Sequence, residues 1–187
     1  RGLLQGSETN RAMPPQRIHP PRGLSIVDCT LREGEQFARA AFSSEQRLEI
    51  ARRLAAFGVE TVELTSPRAS PRAASDFVRI AALGLPVRIA AHVRCDPGDV
   101  DAALAAGARA LHLFFGTSRA LQQHSHGRNV DELIAMARAV VPVARAGADL
   151  VRVSCEDAVR TPVRDVRKVA QALEDLGGDR VGLADTA

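Results

Sequence analysis

The chain has 187 residues, of which 45% are hydrophobic and 3% aromatic, so it can bury a core of ordinary domain size. Its formal net charge is +3, but the cationic residues are nearly all arginines spread along the sequence, which argues against a nucleic-acid-binding surface. No apolar run approaches the roughly 20 residues of a membrane span, and the N-terminus has no signal-peptide core. The three cysteines are odd in number and far apart, as in a reduced cytoplasmic protein without disulfides.

The two ends of the sequence differ from its middle. Residues 1–23 are rich in Pro, Gly and Arg and show no hydrophobic periodicity, which predicts a disordered leader. The chain stops just as an apolar strand closes. We therefore expect residues 24–187 to be the N-terminal part of a larger catalytic domain.

From residue 24 onward, apolar strands alternate with helical segments. Strands are predicted at residues 25–31, 61–66, 87–95, 110–117, 150–156 and 180–186. Helices are predicted between them, at residues 44–57, 73–83, 100–106, 130–145 and 161–176. The mean step between strands is about 31 residues, the size of one βα unit, so we predict a parallel sheet.

Two architectures contain such a sheet, the doubly wound sheet and the (β/α)8 TIM barrel. A doubly wound nucleotide-binding sheet carries a glycine-rich phosphate turn after its first strand. Here that turn is Arg32-Glu33-Gly34-Glu35-Gln36, whose acids would repel a diphosphate. Polar residues also follow nearly every strand, as at the catalytic face of a barrel. We predict a (β/α)8 barrel of which this chain contains the first six strands, since eight need about 60 more residues.

Several strand ends carry residues suited to anion and metal binding. Arg32 can hold a carboxylate through two parallel hydrogen bonds, and Glu33 can bind a hard divalent cation. On the fifth strand, the alternation of side chains places Arg152, Ser154 and Glu156 on one face. Three such groups are costly if buried without partners, but are expected at the mouth of a barrel.

Other strands add further polar residues to this face. His92 and Arg94 share a face of the third strand, Glu63 and Thr65 share one on the second, and Thr186 closes the sixth. Each alone is more often a hydrogen-bonded core residue or a solvated strand end. Their convergence predicts an active site for a substrate with more than one carboxylate, with Glu156 as an acid or base.

Two histidines and the cysteines are predicted to have no such role. His124 and His126 lie two residues apart in a helical or loop segment, where their side chains diverge, so we do not predict a metal-binding pair. The cysteines alternate toward the helices and are predicted to be small core residues.

Taken together, the motifs resemble those of homocitrate synthases, which belong with isopropylmalate synthases to the metal-dependent acyl-CoA condensing enzymes. The resemblance covers residues 25–187, and its motifs are Asp28 to Gln36, Glu63 to Pro67, His92 to Cys95, Gly116 to Ser118, Ser125 to Gly127, Arg152 to Asp157 and Gly182 to Thr186. It implies a (β/α)8 barrel that condenses acetyl-CoA with 2-oxoglutarate to give homocitrate and CoA, the first step of lysine biosynthesis by the aminoadipate route.

The resemblance also implies a role for each site residue. Arg32 would contact the 2-oxo acid and stabilise developing negative charge, Glu33 would bind a divalent metal ion (Mg, Mn or Zn), and Glu156 would help to activate the acetyl-CoA methyl group. The remaining residues would bind substrate; they are Gln36, His92, Arg152, Ser154 and Thr186. Two further metal ligands, histidines, are expected on a seventh strand beyond Ala187. The full-length enzyme is expected to be a homodimer, and this chain alone to be inactive.

Alternatives remain within and outside this class. His112 stands where homocitrate synthases tend to carry an acid, which could change the choice of substrate or inhibition by lysine. A Re-type citrate synthase, or an isopropylmalate-like or citramalate-like enzyme, is therefore the next hypothesis. An aldolase-like or lyase relative on the same barrel fits the first-strand motif less well. The non-enzyme hypothesis is a truncated regulatory or dimerisation partner.

Overall fold

The computed structural model describes residues 24–186, so the leader predicted at residues 1–23 lies outside the described residues. The strands are β1 Val27–Asp28, β2 Thr61–Thr65, β3 Arg88–Arg94, β4 Ala110–Gly116, β5 Leu150–Glu156 and β6 Arg180–Leu183. The helices are α1 Ser44–Phe57, α2 Pro71–Ala81, α3 Pro97–Ala105, α4 Arg119–Leu121, α5 Val130–Gly147 and α6 Val163–Asp175. None of the helices in this part of the chain is both long and apolar enough to cross a membrane.

The strands form one parallel sheet in the order β1-β2-β3-β4-β5-β6. Each strand therefore pairs with the next strand along the chain. A doubly wound sheet reverses its strand order at a switch point, whereas a barrel does not. The described strands thus form part of a (β/α)8 barrel, which confirms the predicted fold class.

The core lies between the sheet and the helices that cover it. It contains the apolar residues that alternate along the central strands, including Val93, Leu111 and Val153, with apolar faces of α2 and α5 packed against them. Cys95 and Cys155 belong to this core, as predicted, but the prediction was wrong for Cys29, which is only partly buried and lies outside the core.

Local sequence signals explain where the helices begin. Ser43 caps α1: its hydroxyl accepts a hydrogen bond from the Gln46 amide, and the Gln46 side chain accepts one from the Ser43 amide. The helix ends at Gly58, whose φ of +97° is a left-handed conformation that glycine adopts without strain. Helix α2 begins earlier than predicted, because Ser70 and Pro71 provide an N-cap and a first-turn proline.

The predicted first strand was too long. Strand β1 ends at Asp28, where the Asp28 carboxylate accepts a hydrogen bond from the Thr30 amide, 2.9 Å away. The carbonyl of Cys29 then accepts the amide N–H groups of Arg32, Glu33 and Gly34, at 3.0, 2.8 and 3.3 Å. Arg32 therefore lies in a turn, four residues beyond the end of β1.

The last strand also ends sooner than predicted, at Leu183, so that Thr186 lies in the segment that follows it. At the opposite end of β6, Arg180 reaches across to the first strands. Its guanidinium donates to Glu60 Oε1 (3.0 Å) and to Ser25 Oγ (3.2 Å). Side chains thus connect the start of β6 to residues that lie just before β1 and β2.

Candidate active site

A cavity of about 1100 Å³ opens at the C-terminal ends of the strands. All the residues predicted for the site line this one cavity: Arg32, Glu33, Gln36, His92, Arg152, Ser154, Glu156 and Thr186. They come from β3, β5, the turn after β1 and the segment after β6. The structure therefore brings together every predicted site residue, although their chemical roles stay predictions.

Glu63 joins the two arginines beneath this cavity. Its side chain is only 2% exposed and accepts hydrogen bonds from Arg32 Nε at 2.5 Å and from Arg152 Nη2 at 3.2 Å. Its second oxygen also bonds to His112 Nδ1. The sequence placed Glu63 on a polar face with Thr65, but it gave no sign that one carboxylate contacts residues from three other parts of the barrel.

The charges in this cluster follow from its contacts. Burial raises the pKa of Glu63, but the hydrogen bond from His112 and the charges of His112 and Arg32 outweigh it and lower the pKa to about 2. Burial lowers the pKa of His112, although its hydrogen bond to Glu63 opposes this effect. At neutral pH, Glu63 is therefore an anion that accepts a hydrogen bond from His112 Nδ1.

Arg152 keeps unused hydrogen-bond donors at the cavity. Its Nη2 bonds to Glu63, but its buried Nε has no partner among the residues that the structure describes. A buried guanidinium N–H without a partner is rare in folded proteins, because leaving it unpaired is costly. Arg152 also lines the cavity, so its guanidinium can contribute hydrogen bonds to a carboxylate bound there.

His92 is held in the cavity wall by Phe114. The two rings stack with centroids 4.4 Å apart and an angle of 10° between their planes. Burial, together with the charges of Arg32 and Arg152, lowers the pKa of His92 to about 4. His92 is therefore neutral at neutral pH and can donate or accept a hydrogen bond without adding charge.

Glu156 lies at the end of β5, and its carboxylate accepts no hydrogen bond from residues 24–186. Burial raises its pKa, and the charges of Arg32 and His126 oppose this only in part. A carboxyl group whose pKa is raised toward neutrality is suited to removing or returning a proton.

Glu33 is the residue predicted to bind a metal. Its Oε2 accepts hydrogen bonds from Arg32 Nη1 at 2.5 Å and from Gln36 Nε2 at 3.2 Å, and the side chain is 55% exposed. Within the described part of the chain, no group of three or more His, Cys, Asp or Glu residues is arranged to hold a metal ion. Glu33 fits one ligand position of a hard cation, but these residues alone do not form a complete site.

His126 has another use than metal binding. Its Nδ1 accepts the Arg128 amide at 3.1 Å, so Nε2 carries the hydrogen and donates to the Gly116 carbonyl at 2.9 Å. Both ring nitrogens of His126 therefore bond to the backbone, and the absence of a metal-binding His124–His126 pair stays a prediction. Arg94 also lines the cavity, but its guanidinium pairs with Asp99 through two hydrogen bonds of 2.8 Å.

The strand order, and a polar cavity at the C-terminal ends of the strands, define a protein of the (β/α)8-barrel class. Comparison with known families is more specific: the HMGL-like family matches residues 23–187. The chain belongs to the HMGL-like family.

Among its relatives is the cytosolic homocitrate synthase isozyme of Saccharomyces cerevisiae, 37% identical over 175 residues, a match that covers 94% of this chain and 41% of the relative. The mitochondrial homocitrate synthase of Schizosaccharomyces pombe is 40% identical over 163 residues and is covered to 39%. The 2-isopropylmalate synthase of Edwardsiella ictaluri is 38% identical over 168 residues and is covered to 31%. The chain thus spans about two-fifths or less of the length of these relatives.

Solved structures support the fold. The HMG-CoA lyase of Bacillus subtilis superposes with a TM-score of 0.74 at 20% identity, over 89% of this chain and 59% of that one. The hydroxymethylglutaryl-CoA lyase of Pseudomonas aeruginosa superposes with a TM-score of 0.73 at 23% identity, also over 89% of this chain and 59% of the other.

Proposed function

We propose that this chain is part of an enzyme that condenses acetyl-CoA with 2-oxoglutarate, giving homocitrate and CoA for lysine biosynthesis. The observation that carries the proposal is the pair of arginines in the cavity. Arg32 and Arg152 meet on one buried carboxylate, and Arg152 keeps an unpaired donor beside it. Two adjacent guanidinium groups suit a 2-oxo acid with two carboxylates. Relatives named homocitrate synthase, 37–40% identical, support the same reading.

Each cavity residue has a part in the proposed reaction. Arg152, Ser154 and Thr186 bind the carboxylates and carbonyl of the 2-oxo acid, and neutral His92 and Gln36 complete the polar lining. Holding both substrates in one cavity replaces an encounter in solution by a reaction between bound neighbours.

The chemical steps require a base and a stabilised oxyanion. Glu156 takes a proton from the acetyl-CoA methyl group, and the resulting enolate forms a carbon–carbon bond to the keto carbon. The guanidinium of Arg32 stabilises the alkoxide that develops on the keto oxygen. Water then hydrolyses the thioester and releases CoA and the free tricarboxylate. A divalent ion, when bound with Glu33 as one ligand, would polarise the keto oxygen.

A different 2-oxo acid in place of 2-oxoglutarate is the second candidate, and one observation supports it. A 2-isopropylmalate synthase is also 38% identical to this chain, and a putative (R)-citramalate synthase of Methanopyrus kandleri is 36% identical. Relatives named for other products are therefore about as similar to this chain as the homocitrate synthases are. Re-type citrate synthesis from oxaloacetate requires the same condensation.

We propose a cytoplasmic homodimer for the complete protein.

The experiment is CoA release from acetyl-CoA by the complete gene product that carries this chain, with a panel of 2-oxo acids, with and without EDTA. We expect EDTA-sensitive release with 2-oxoglutarate and little with oxaloacetate or 2-oxoisovalerate. A Glu156→Gln variant is expected to lose at least about 100-fold in kcat. Preference for another 2-oxo acid would overturn the substrate, and no release with any of them would overturn the condensation reaction and favour a regulatory or dimerisation role.

A further inference from the structure

The residue after Glu156 has an unusual backbone conformation. Asp157 has φ 56° and ψ 41°, and it is the one non-glycine residue with positive φ in the part of the chain that the structure describes. It is also fully buried. A left-handed conformation costs a non-glycine residue of order 1–3 kcal/mol, so it persists only where the surroundings hold it.

Two buried threonine hydroxyl groups hold this turn. Thr161 Oγ1 lies 2.8 Å from the Asp157 carbonyl and 2.8 Å from Thr117 Oγ1. Because the Asp157 carbonyl accepts the hydroxyl proton of Thr161, Thr161 Oγ1 is free to accept from Thr117 Oγ1, which also lies within donating distance of the Glu156 carbonyl, 3.2 Å away. The amide of Thr117 in turn donates to the Glu156 carbonyl, 3.1 Å away. The Thr117 amide and the two hydroxyl groups therefore hold the carbonyls of Glu156 and Asp157.

Further contacts connect the turn to its neighbours. The Asp157 carboxylate accepts a hydrogen bond from Arg160 Nε at 2.7 Å. The Ala158 amide donates to the Ala184 carbonyl at 2.9 Å, and the Ala184 amide donates to the Cys155 carbonyl at 3.1 Å. The same turn thus fastens the segment that leads from β6 to Thr186.

We infer that Thr117, Thr161 and the left-handed Asp157 act together as a positioning device for Glu156. The Glu156 carboxylate has no hydrogen-bond partner within residues 24–186, so its place in the cavity depends on the backbone that carries it. The threonines contact the carbonyls on either side of the Asp157 α-carbon, and they do not line the cavity. This inference rests on the proposed function, because it assigns the acid or base role to Glu156.

The test compares three threonine variants in the complete gene product. Thr161→Val removes the hydroxyl of this residue, and Thr161→Ser keeps it. Thr61→Val is the matched control, because Thr61 in β2 is also buried and its hydroxyl has no hydrogen-bond partner within residues 24–186. We expect Thr161→Val to lower kcat about 10- to 100-fold with little change in KM for the 2-oxo acid. Thr161→Ser and Thr61→Val should stay within about twofold of the wild type.

The backbone conformation is tested separately at Asp157. Asp157→Gly and Asp157→Ala both remove the carboxylate, but only glycine adopts positive φ without strain. We expect kcat to be clearly higher in Asp157→Gly than in Asp157→Ala. This comparison tests the inference even if the Thr161→Val variant does not fold.

Amide hydrogen exchange gives a readout that needs no turnover. The Thr117 and Ala158 amides should exchange faster in Thr161→Val than in Thr61→Val. An active wild type whose Thr161→Val variant matches Thr61→Val in kcat and exchange would overturn the inference and leave the proposed function intact. A wild type that releases no CoA would overturn both.

Discussion

Replacing Glu63 by glutamine removes the one carboxylate that Arg32, Arg152 and His112 share. The amide keeps the size of the side chain but loses its charge, so two guanidinium groups remain close together without a buried counter-charge. Their side chains are 19% and 25% exposed, so water screens them only in part. We expect the Glu63→Gln variant to fold and to be clearly less stable than the wild type.

Two arguments give the size of this effect. Breaking a buried ion pair by removing one partner costs about 3–5 kcal/mol. Independently, the fall in the pKa of Glu63 from 4.5 to about 2 corresponds to about 3 kcal/mol. We therefore expect the free energy of unfolding to fall by about 3 kcal/mol at neutral pH.

The assay is urea denaturation of the wild type, Glu63→Gln and a control, Glu60→Gln. Glu60 directly precedes the same strand and also pairs with two arginines, Arg88 and Arg180, but these side chains are 30–43% exposed. Exposed pairs contribute at most about 1 kcal/mol and are screened by salt. The Glu60 effect should therefore shrink in 0.5 M salt, and the Glu63 effect should not.

The pH dependence has a definite sign. The pKa of Glu63 is lower in the folded than in the unfolded protein, so its contribution is fully present above about pH 4.5 and is lost as the pH falls toward about 2. The difference between wild type and Glu63→Gln should narrow across that range. A loss below 1 kcal/mol at pH 7, or equal losses for the Glu63 and Glu60 variants, would refute the reasoning.

Three further outcomes are expected. The pKa of His92 falls from 6.5 to about 4 on folding, so its contribution to stability is present above pH 6.5 and is lost toward pH 4; urea midpoints of His92→Gln should vary less with pH across this range than those of the wild type. Arg152→Lys keeps the charge but loses the planar fork, so KM for 2-oxoglutarate should rise about 10-fold or more in steady-state assays, and an unchanged KM would argue against carboxylate binding there. A Cβ on Gly182 would lie 2.2 Å from Ser154 Oγ, so Gly182→Ala should lower the free energy of unfolding by about 1–3 kcal/mol, whereas Gly34→Ala, with its nearest neighbour at 3.5 Å, should change it little.

Regular elements could be predicted from the sequence because their signals are local. The fifth strand was predicted at residues 150–156, and β5 spans those residues, since its alternating side chains are set by its own pleat. The first strand failed because the Asp28 side chain competes for the Thr30 amide and turns the chain early. The local hydrophobic pattern predicts which apolar residues form a strand, but it does not predict which side chain ends the strand by bonding to the backbone.

The sequence could predict which residues belong to the site, but not which of them contact one another. Because parallel strands bring their C-terminal ends together, the sequence predicted that Arg32, His92 and Arg152 lie at the same mouth of the barrel. The partners of Glu63 lie 31, 49 and 89 residues away in sequence, so no spacing rule indicates them. The turn at Asp157 was missed for the same reason, since Thr117 comes from a different strand connection.

The contact of Arg180 with Ser25 bears on how the chain folds. Every strand pairs with its neighbour in sequence, but these two residues are 155 positions apart. Neighbouring βα units can therefore associate one after another, and each association closes only a short loop of the chain. The contact between Arg180 and Ser25 instead closes a loop of about 155 residues. It is expected to form after the transition state, so that Arg180→Ala accelerates unfolding and leaves the folding rate unchanged. The Arg180 side chain is thus expected to slow the unfolding of a sheet that assembles from local strand pairs.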